Sequence, residues 1–260
     1  MGTLNKYIIP AVKRSFEVLE YLAENNNICH VTDISKHLEI PANSVYRIVS
    51  TLESLGYIER IQGGRIVLGK KIFALGNTVA EHLGINRIAL PHMINLTELT
   101  KETSLLGVLV EDKVLIMEQI ESPHPLKITV KVGSLFPSYI SVFGKILLAH
   151  LPEDKMGEII SSMKMTRLTS QTITDPQKLK SHLKEIRSNG LGIDWQEYED
   201  GIACVGVPIL DKKGEVIASV GIHGPTSRLS RQNIEKLLPE IKEAGRKISL
   251  DMGCPKMLLG

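Results

Sequence analysis

The chain has 260 residues, enough for one large domain or two ordinary ones, and its 43% hydrophobic and 23% charged residues describe a globular protein with a real core. Its apolar runs, such as IASVGI at 217–222, are far too short to span a bilayer, and its N-terminal stretch lacks the apolar core and cleavage site of a signal peptide. Three widely spaced cysteines, Cys29, Cys204 and Cys254, argue against a disulfide framework or a CxxC metal knuckle and for a reducing cytoplasm, while a net charge of +2 is too weak to argue for nucleic acid by itself.

VKRSFEVLEYLAEN carries Val12, Phe16, Leu19 and Leu22 on one helical face, and the Asn run at 25–27 ends that helix. A short second helix follows in TDISKHLEI, with Thr32 as N-cap and Ile34 and Leu38 a turn apart. Pro41 opens a third helix, where its missing N–H costs nothing. In that helix Val45, Ile48, Val49 and Leu52 form an apolar stripe that Leu55 extends, and Gly56 stops it. Tyr57–Ile61 and Arg65–Leu68 are short strand-like runs around the turn signal QGG. Residues 1–70 therefore read as a helix, a helix-turn-helix and a two-stranded wing.

The next stretch is helical, and 71–90 is expected to be a linker helix, with Pro91 marking a break or a new start. Ile72, Leu75, Val79 and Leu83, with Phe73 and Ala80, give it a stripe too broad for a solvated linker, which suggests self-association or packing on the wing. From 91 to 260 the pattern alternates. SLLGVLVED and KVLIMEQIE make a strand pair turning at Asp112–Lys113, and LKITVKV is a third strand. A helical segment over 142–163 is interrupted at Pro152. Another helix is framed by Asp175, Pro176 and Gly190. Three further strands and a last helix from about Ser230 complete the chain. Hairpin-linked strands with helices at the ends predict an α+β domain around one largely antiparallel sheet.

The face of the third helix opposite its stripe is unusual. It holds Asn43, Ser44, Tyr46, Arg47, Ser50 and Thr51, with no acid before Glu53. A solvated face ordinarily uses Glu and Lys. Arg can pair guanine or phosphate, Asn can pair adenine, and Ser, Thr and Tyr can reach phosphate oxygens. With Thr32 in the preceding helix and Arg65 in the wing, this face predicts duplex DNA recognition in the helix-turn-helix manner.

PANSVYRIVSTLESLGYIER followed by GRIVLG resembles the winged helix-turn-helix of the isocitrate lyase regulator (IclR) family. The later motifs of that family also stand in order here: FGKILLAHLP, LT…TITD, and GLGIDWQEYEDGIACVGVPILD continuing to GEVIASVGIHGP. The resemblance covers about residues 10–253. It implies a bacterial transcription regulator, a homodimer that often pairs into tetramers, with operator DNA bound by the first domain and a small-molecule effector by the second.

In the second domain Asp194 and Cys204 fall on neighbouring predicted strands and His223 near the end of the next. Such a set can line a ligand pocket, bind a metal such as Zn²⁺ or form a Cys-His-Asp catalytic group, and a free Cys can also simply pack as a small hydrophobe. A cysteine hydrolase is disfavoured because Cys204 lies inside an apolar run, whereas an activated thiol sits at a turn or helix N-terminus. The family resemblance implies the pocket, lined by Asp194 and Cys204. Relatives often have small residues where this chain has Val142 and Phe143, and two serines where it has Gly221 and His223, so glyoxylate or pyruvate is not carried over. A carboxylate metabolite is expected, received by His223, the Ser141 hydroxyl and backbone N–H groups. Ile128, Phe136 and Ile202 are candidate walls. Asp194 is expected either to accept hydrogen bonds from ligand hydroxyls or backbone, or to orient a protonated His223 that meets the carboxylate. No cofactor, metal or membrane association is expected.

Overall fold

The structure is a computed structural model that describes residues 8–25 and 28–258, without the side chains of residues 77, 79–83 and 258. Two compact units, 1–83 and 84–260, divide the chain.

In the first unit α1 (Pro10–Glu24), α2 (Val31–His37) and α3 (Ala42–Ser54) precede a two-stranded antiparallel wing, β1 (Ile58–Arg60) and β2 (Ile66–Leu68). The core is small and fully apolar: Val18, Leu22, Ile34, Ile40, Val45, Val49, Leu52, Ile58 and Ile66 are buried together. Each buried aliphatic side chain of this size contributes about 1.5–3 kcal/mol of transfer free energy. The turn between α2 and α3 puts Glu39 at φ 54, in the left-handed region. α3 ends where expected, with Gly56 at φ 81 just past the helix. Cys29 adds a single bridge to Ile66, so the wing has a third short partner.

Several local expectations are corrected here. The N-cap of α2 is His30, not Thr32, because Asp33 at the third helical position accepts the His30 backbone N–H at 2.9 Å. Val12 and Phe16 are exposed, since α1 packs through Val18 and Leu22, and Leu55 is exposed at the helix end. The expected linker helix over 71–90 is two helices, α4 (Lys70–Leu83) and α5 (Ile85–Thr100), parted at Gly84 with φ 62. Glycine adopts that conformation at no steric cost, so the break falls there, and Pro91 lies inside α5. Of the expected α4 stripe, Ile72 is half-buried and Leu75 and Phe73 are exposed; Val79, Ala80 and Leu83 lie outside the described side chains.

The second unit is one six-stranded antiparallel sheet, ordered β5-β4-β3-β8-β7-β6. Its strands are β3 (Thr103–Val110), β4 (Lys113–Ile120), β5 (Leu135–Pro137), β6 (Gly192–Trp195), β7 (Ile202–Leu210) and β8 (Val216–Pro225). Alternation along the strands sorts side chains to two cores. Val205, Val207, Val220 and Ile222 pack with α5 and α9 (Arg231–Asp251). Leu105, Val114 and Ile116 pack with α6 (Val142–Ala149) and α8 (Pro176–Asn189). A further helix, α7 (Glu153–Ser162), follows α6 with Pro152 as its N-cap. The cap of α8 is as expected, with Asp175 accepting from the N–H groups of Gln177 and Lys178 and Gly190 left-handed at the other end.

LKITVKV is not a strand. The third strand is instead Leu135–Pro137, paired to Lys113–Leu115. Residues 126–132 run past β4 as a loop held by side chains: Val130 N–H donates to Gln119 Oε1 at 2.7 Å, and Thr103 Oγ1 donates to the Ile128 carbonyl at 3.0 Å. The β3–β4 turn lies one residue earlier than expected, at Glu111–Asp112, with Glu111 at φ 55. Among the described residues no helix is long and apolar enough to cross a membrane.

Candidate functional site

The stripe of α3 buries Val45, Val49 and Leu52, which turns the other side outward. Asn43, Tyr46, Arg47 and Thr51 are exposed there, and Ser44 and Ser50 are half-buried. Arg47 has no ion-pair partner among the described residues. Thr51 Oγ1 donates to the Arg47 carbonyl at 2.8 Å, so its hydroxyl is left to accept rather than donate. Thr32 is exposed in the first turn of α2, and Arg65 is exposed in the wing, where its Nε donates to the Gln62 carbonyl at 3.3 Å. Sequence reasoning missed Arg60. Its guanidinium lies 5.5 Å from the centre of the Tyr46 ring and pairs with Glu53 at 2.8 Å, tying the wing to α3. Nothing in local periodicity marks such a contact.

The second unit holds a cavity of about 340 Å³ on the α6 face of the sheet. Ser141, Phe143, Asp194, Cys204, His223, Ile128, Phe136 and Ile202 all line it. Register explains the grouping: Asp194 pairs with Cys204 and Cys204 with His223, so three strands present one row to the same face. Leu105, Ile116, Val130, Ile140, Tyr198 and Glu199 also line it, and the Tyr198 and Phe136 rings meet edge-on at 5.5 Å.

Two expected pocket residues are elsewhere. Val142 is fully buried, its position set against Gly192, where a β-carbon would come within 2.8 Å of the Val142 side chain. Gly221 faces Gly206 in register, and a β-carbon on it would fall 2.0 Å from the Val205 carbonyl oxygen, so the position has room only for glycine.

Burial dominates the electrostatics. It raises the Asp194 carboxyl to about 6, against the pull of the nearby Lys145 ammonium and with the added push of Glu197. It lowers the His223 imidazole to about 4, the Ile128 carbonyl acting the other way. It pushes the Cys204 thiol well up, which disfavours the thiolate that a nucleophile needs. Of the two roles expected for Asp194, the pairing with His223 is not formed, whereas acceptance from backbone is. Their strands are two apart, roughly 9–10 Å of sheet, and Asp194 Oδ1 instead accepts the Glu197 backbone N–H at 2.8 Å. At neutral pH His223 is therefore neutral, contrary to the protonated imidazole expected. No three His, Cys, Asp or Glu residues are grouped as metal ligands among the described residues.

α6 is buried over its whole length, Lys145 included. Lys145 Nζ is bonded to Glu197 Oε1 in the interior. Sequence reasoning quoted both residues within motifs but assigned neither a role; a lone Lys inside VFGKILLA is itself the signal of a buried, partnered charge. The helix begins at the cavity. Its first intrahelical bond is Lys145 N–H to the Ser141 carbonyl at 2.8 Å, and the N–H groups of Val142, Phe143 and Gly144 have no acceptor among the described residues.

Comparison with known proteins agrees with both halves of this geometry. The family model described as the IclR helix-turn-helix domain matches residues 11–62, and that for the bacterial transcriptional regulator IclR C-terminal domain matches 77–250. The chain is 33% identical over 246 residues to the HTH-type transcriptional regulator KdgR of Escherichia coli (strain K12), covering 94% of this chain and 93% of that protein. It is 30% identical to BhcR of Paracoccus denitrificans (strain Pd 1222), covering 94% and 88%. Among solved structures it is similar to Thermotoga maritima IclR, with TM-score 0.72, 29% identity, and 94% and 99% of the two chains covered. An IclR homolog from Microbacterium hydrocarbonoxydans, complexed with 4-hydroxybenzoate, gives TM-score 0.82 at 25% identity, covering 93% and 98%. The chain thus belongs to the IclR family and is a DNA-binding transcriptional regulator rather than an enzyme.

Proposed function

We propose that this regulator reads its operator through α3 and is controlled by a small hydroxyl-bearing carboxylate held in the α6-face cavity. The observation that carries the effector reading is the start of α6: unpartnered N–H groups at the positive end of a buried helix, at whose start Ser141 and Phe143 line the cavity. A carboxylate satisfies those donors, and the apolar walls Ile128, Phe136, Phe143 and Ile202 enclose its carbon skeleton. Neutral His223 and Asp194 line the cavity as partners for a ligand hydroxyl. The 4-hydroxybenzoate bound by the Microbacterium homolog carries both groups.

We further propose that the chain works as a homodimer, paired or not into a tetramer, because a short recognition helix covers few base pairs and specificity needs two half-sites. Exposed Ile9 at the cap of α1, Val12 and Phe16 within it, and Phe73 of α4 supply apolar surface for a second copy. Repression is the mode consistent with relatives named as repressors, such as IclR of E. coli. Three free cysteines fit a cytoplasmic setting.

The test is a thermal-shift screen of small carboxylates with and without a hydroxyl, followed by operator release in a fluorescence anisotropy assay. A hydroxy acid that raises Tm and releases operator supports the reading, because a ligand of the native state stabilises it by mass action. His223→Ala should lose that response and keep operator affinity. A normal response in His223→Ala removes this residue from the site, and no stabilisation by any carboxylate sinks the carboxylate reading.

A further inference from the structure

A second cavity, of about 350 Å³, lies at the β6 edge of the sheet, next to the first turn of α9. It shares no lining residue with the α6-face cavity. Its lining includes Trp195, His182, Glu197 and Gln171, apolar Ile193 and Ile234, and two exposed charges, Glu235 and Arg231, the latter with its guanidinium 5.2 Å from the centre of the Trp195 ring. Two buried polar atoms of these residues have no hydrogen-bond partner among the described residues, Glu197 Oε2 and His182 Nε2.

Glu197 is held in place on every side but that one. Gln196 takes the left-handed conformation, φ 63, turning the chain inward after β6. The Glu197 N–H donates to Asp194, the Thr172 hydroxyl donates to its carbonyl at 2.7 Å, and Oε1 takes the Lys145 ammonium. The side chain is only 8% exposed, yet Oε2 is left unmet. A buried carboxylate oxygen without a donor keeps the full cost of its lost hydration, so a left-handed turn that holds it there points to a missing donor.

Charge identifies that donor. On the exposed side Arg231 and Glu235 offset each other in charge, while in the interior two carboxylates, Asp194 and Glu197, lie near one buried cation, Lys145, which leaves the group one positive charge short when both are ionised. An ammonium ion supplies that charge and has three N–H donors, enough for both Glu197 Oε2 and His182 Nε2. An anion meets neither need. The isoleucines and Trp195 offer apolar contact for a short alkyl chain.

We propose that this cavity is a second ligand site, which takes a small primary alkylammonium ion through Glu197 and His182. It is separate from the carboxylate site and does not rest on that reading. Because Lys145 and Glu197 adjoin Asp194, occupancy here reaches the α6-face cavity through one shared ion pair.

Trp195 is the single tryptophan of the sequence, so its emission reports on this cavity directly. The full-length chain is titrated with n-butylammonium, with n-butanol and butyrate at matched ionic strength as neutral and anionic probes. The expected result is a saturable emission change with the amine alone. Gln171→Arg, an exposed lining position, should weaken that binding about tenfold by adding a like charge. The double variant Lys145→Met/Glu197→Gln, checked for folding by circular dichroism, should abolish it. No saturation with the amine, equal saturation with butanol, or unchanged affinity in Gln171→Arg each overturns the proposal. Wild-type affinity in a folded double variant does so too.

Discussion

Asp194 and His223 flank Cys204 in one register row of the sheet, and burial drives their titrations in opposite directions. The folded carboxyl titrates at about 6 against an ordinary 3.8, so between those values the native state binds the extra proton and Asp194 makes stability fall as pH rises. The folded imidazole titrates at about 4 against 6.5, so over that range the unfolded state binds the extra proton and His223 makes stability rise with pH. In the wild type the two slopes offset each other. Asp194→Asn should therefore uncover a stability that climbs from pH 4 to 6.5, and His223→Gln one that declines from pH 4 to 6. Each change is on the order of 2–3 kcal/mol, at 1.36 kcal/mol per pKa unit, and is read from urea midpoints across pH. Parallel profiles for the two variants would contradict the assignment.

The same row sets the pH dependence of anion binding. A neutral His223 gives no titration near pH 7, so the relevant group is Asp194. A carboxylate effector should bind more tightly as pH falls through about 6, where the neighbouring carboxyl loses its charge. Calorimetric titration from pH 5 to 8 measures this, and Asp194→Asn should flatten the curve. A dependence that survives in Asp194→Asn assigns the proton elsewhere.

Arg47→Ala should weaken operator binding by about 1–3 kcal/mol and relax one position of the site if the side chain meets a base. If it meets phosphate, the loss is uniform across sequences and the salt slope becomes shallower. Arg60→Ala should weaken binding without relaxing any position, since Arg60 acts by holding Tyr46 and Glu53 rather than by reading bases. Anisotropy with a panel of single-base operator variants separates the two.

Lys145→Met leaves Glu197 buried without its partner, and should cost about 3–5 kcal/mol. Lys145→Met/Glu197→Leu removes both charges and should recover much of that loss. Differential scanning calorimetry of the pair decides it; a double variant no more stable than the single one would mean that Glu197 has a second counter-charge.

Patterns that repeat within one element were legible in the sequence. The α3 stripe, the Asp175–Gly190 frame of α8 and the strands of the second unit other than β5 all follow from local periodicity and caps. The row of Asp194, Cys204 and His223 was legible because each stands at a definable point of a strand. What depended on tertiary partners was not. The LKITVKV segment alternates like a strand, yet its backbone bonds go to side chains of Gln119 and Thr103. Gly221 looked like a pocket position but serves the close approach of two strands. Lys145 and Glu197 are 52 residues apart, and no local pattern joins them.

The loop over 126–132 has an evolutionary consequence. It forms one wall of the α6-face cavity, through Ile128, Thr129, Val130 and Lys131, yet it belongs to no ladder and is fastened by a few side-chain bonds. The opposite wall, on β7 and β8, lies in the middle of the sheet, where every substitution is also tested for folding. Ligand choice can therefore drift by changes in the fastened loop while the sheet stays constant. One scaffold then acquires new chemical inputs without having to be refolded around each of them.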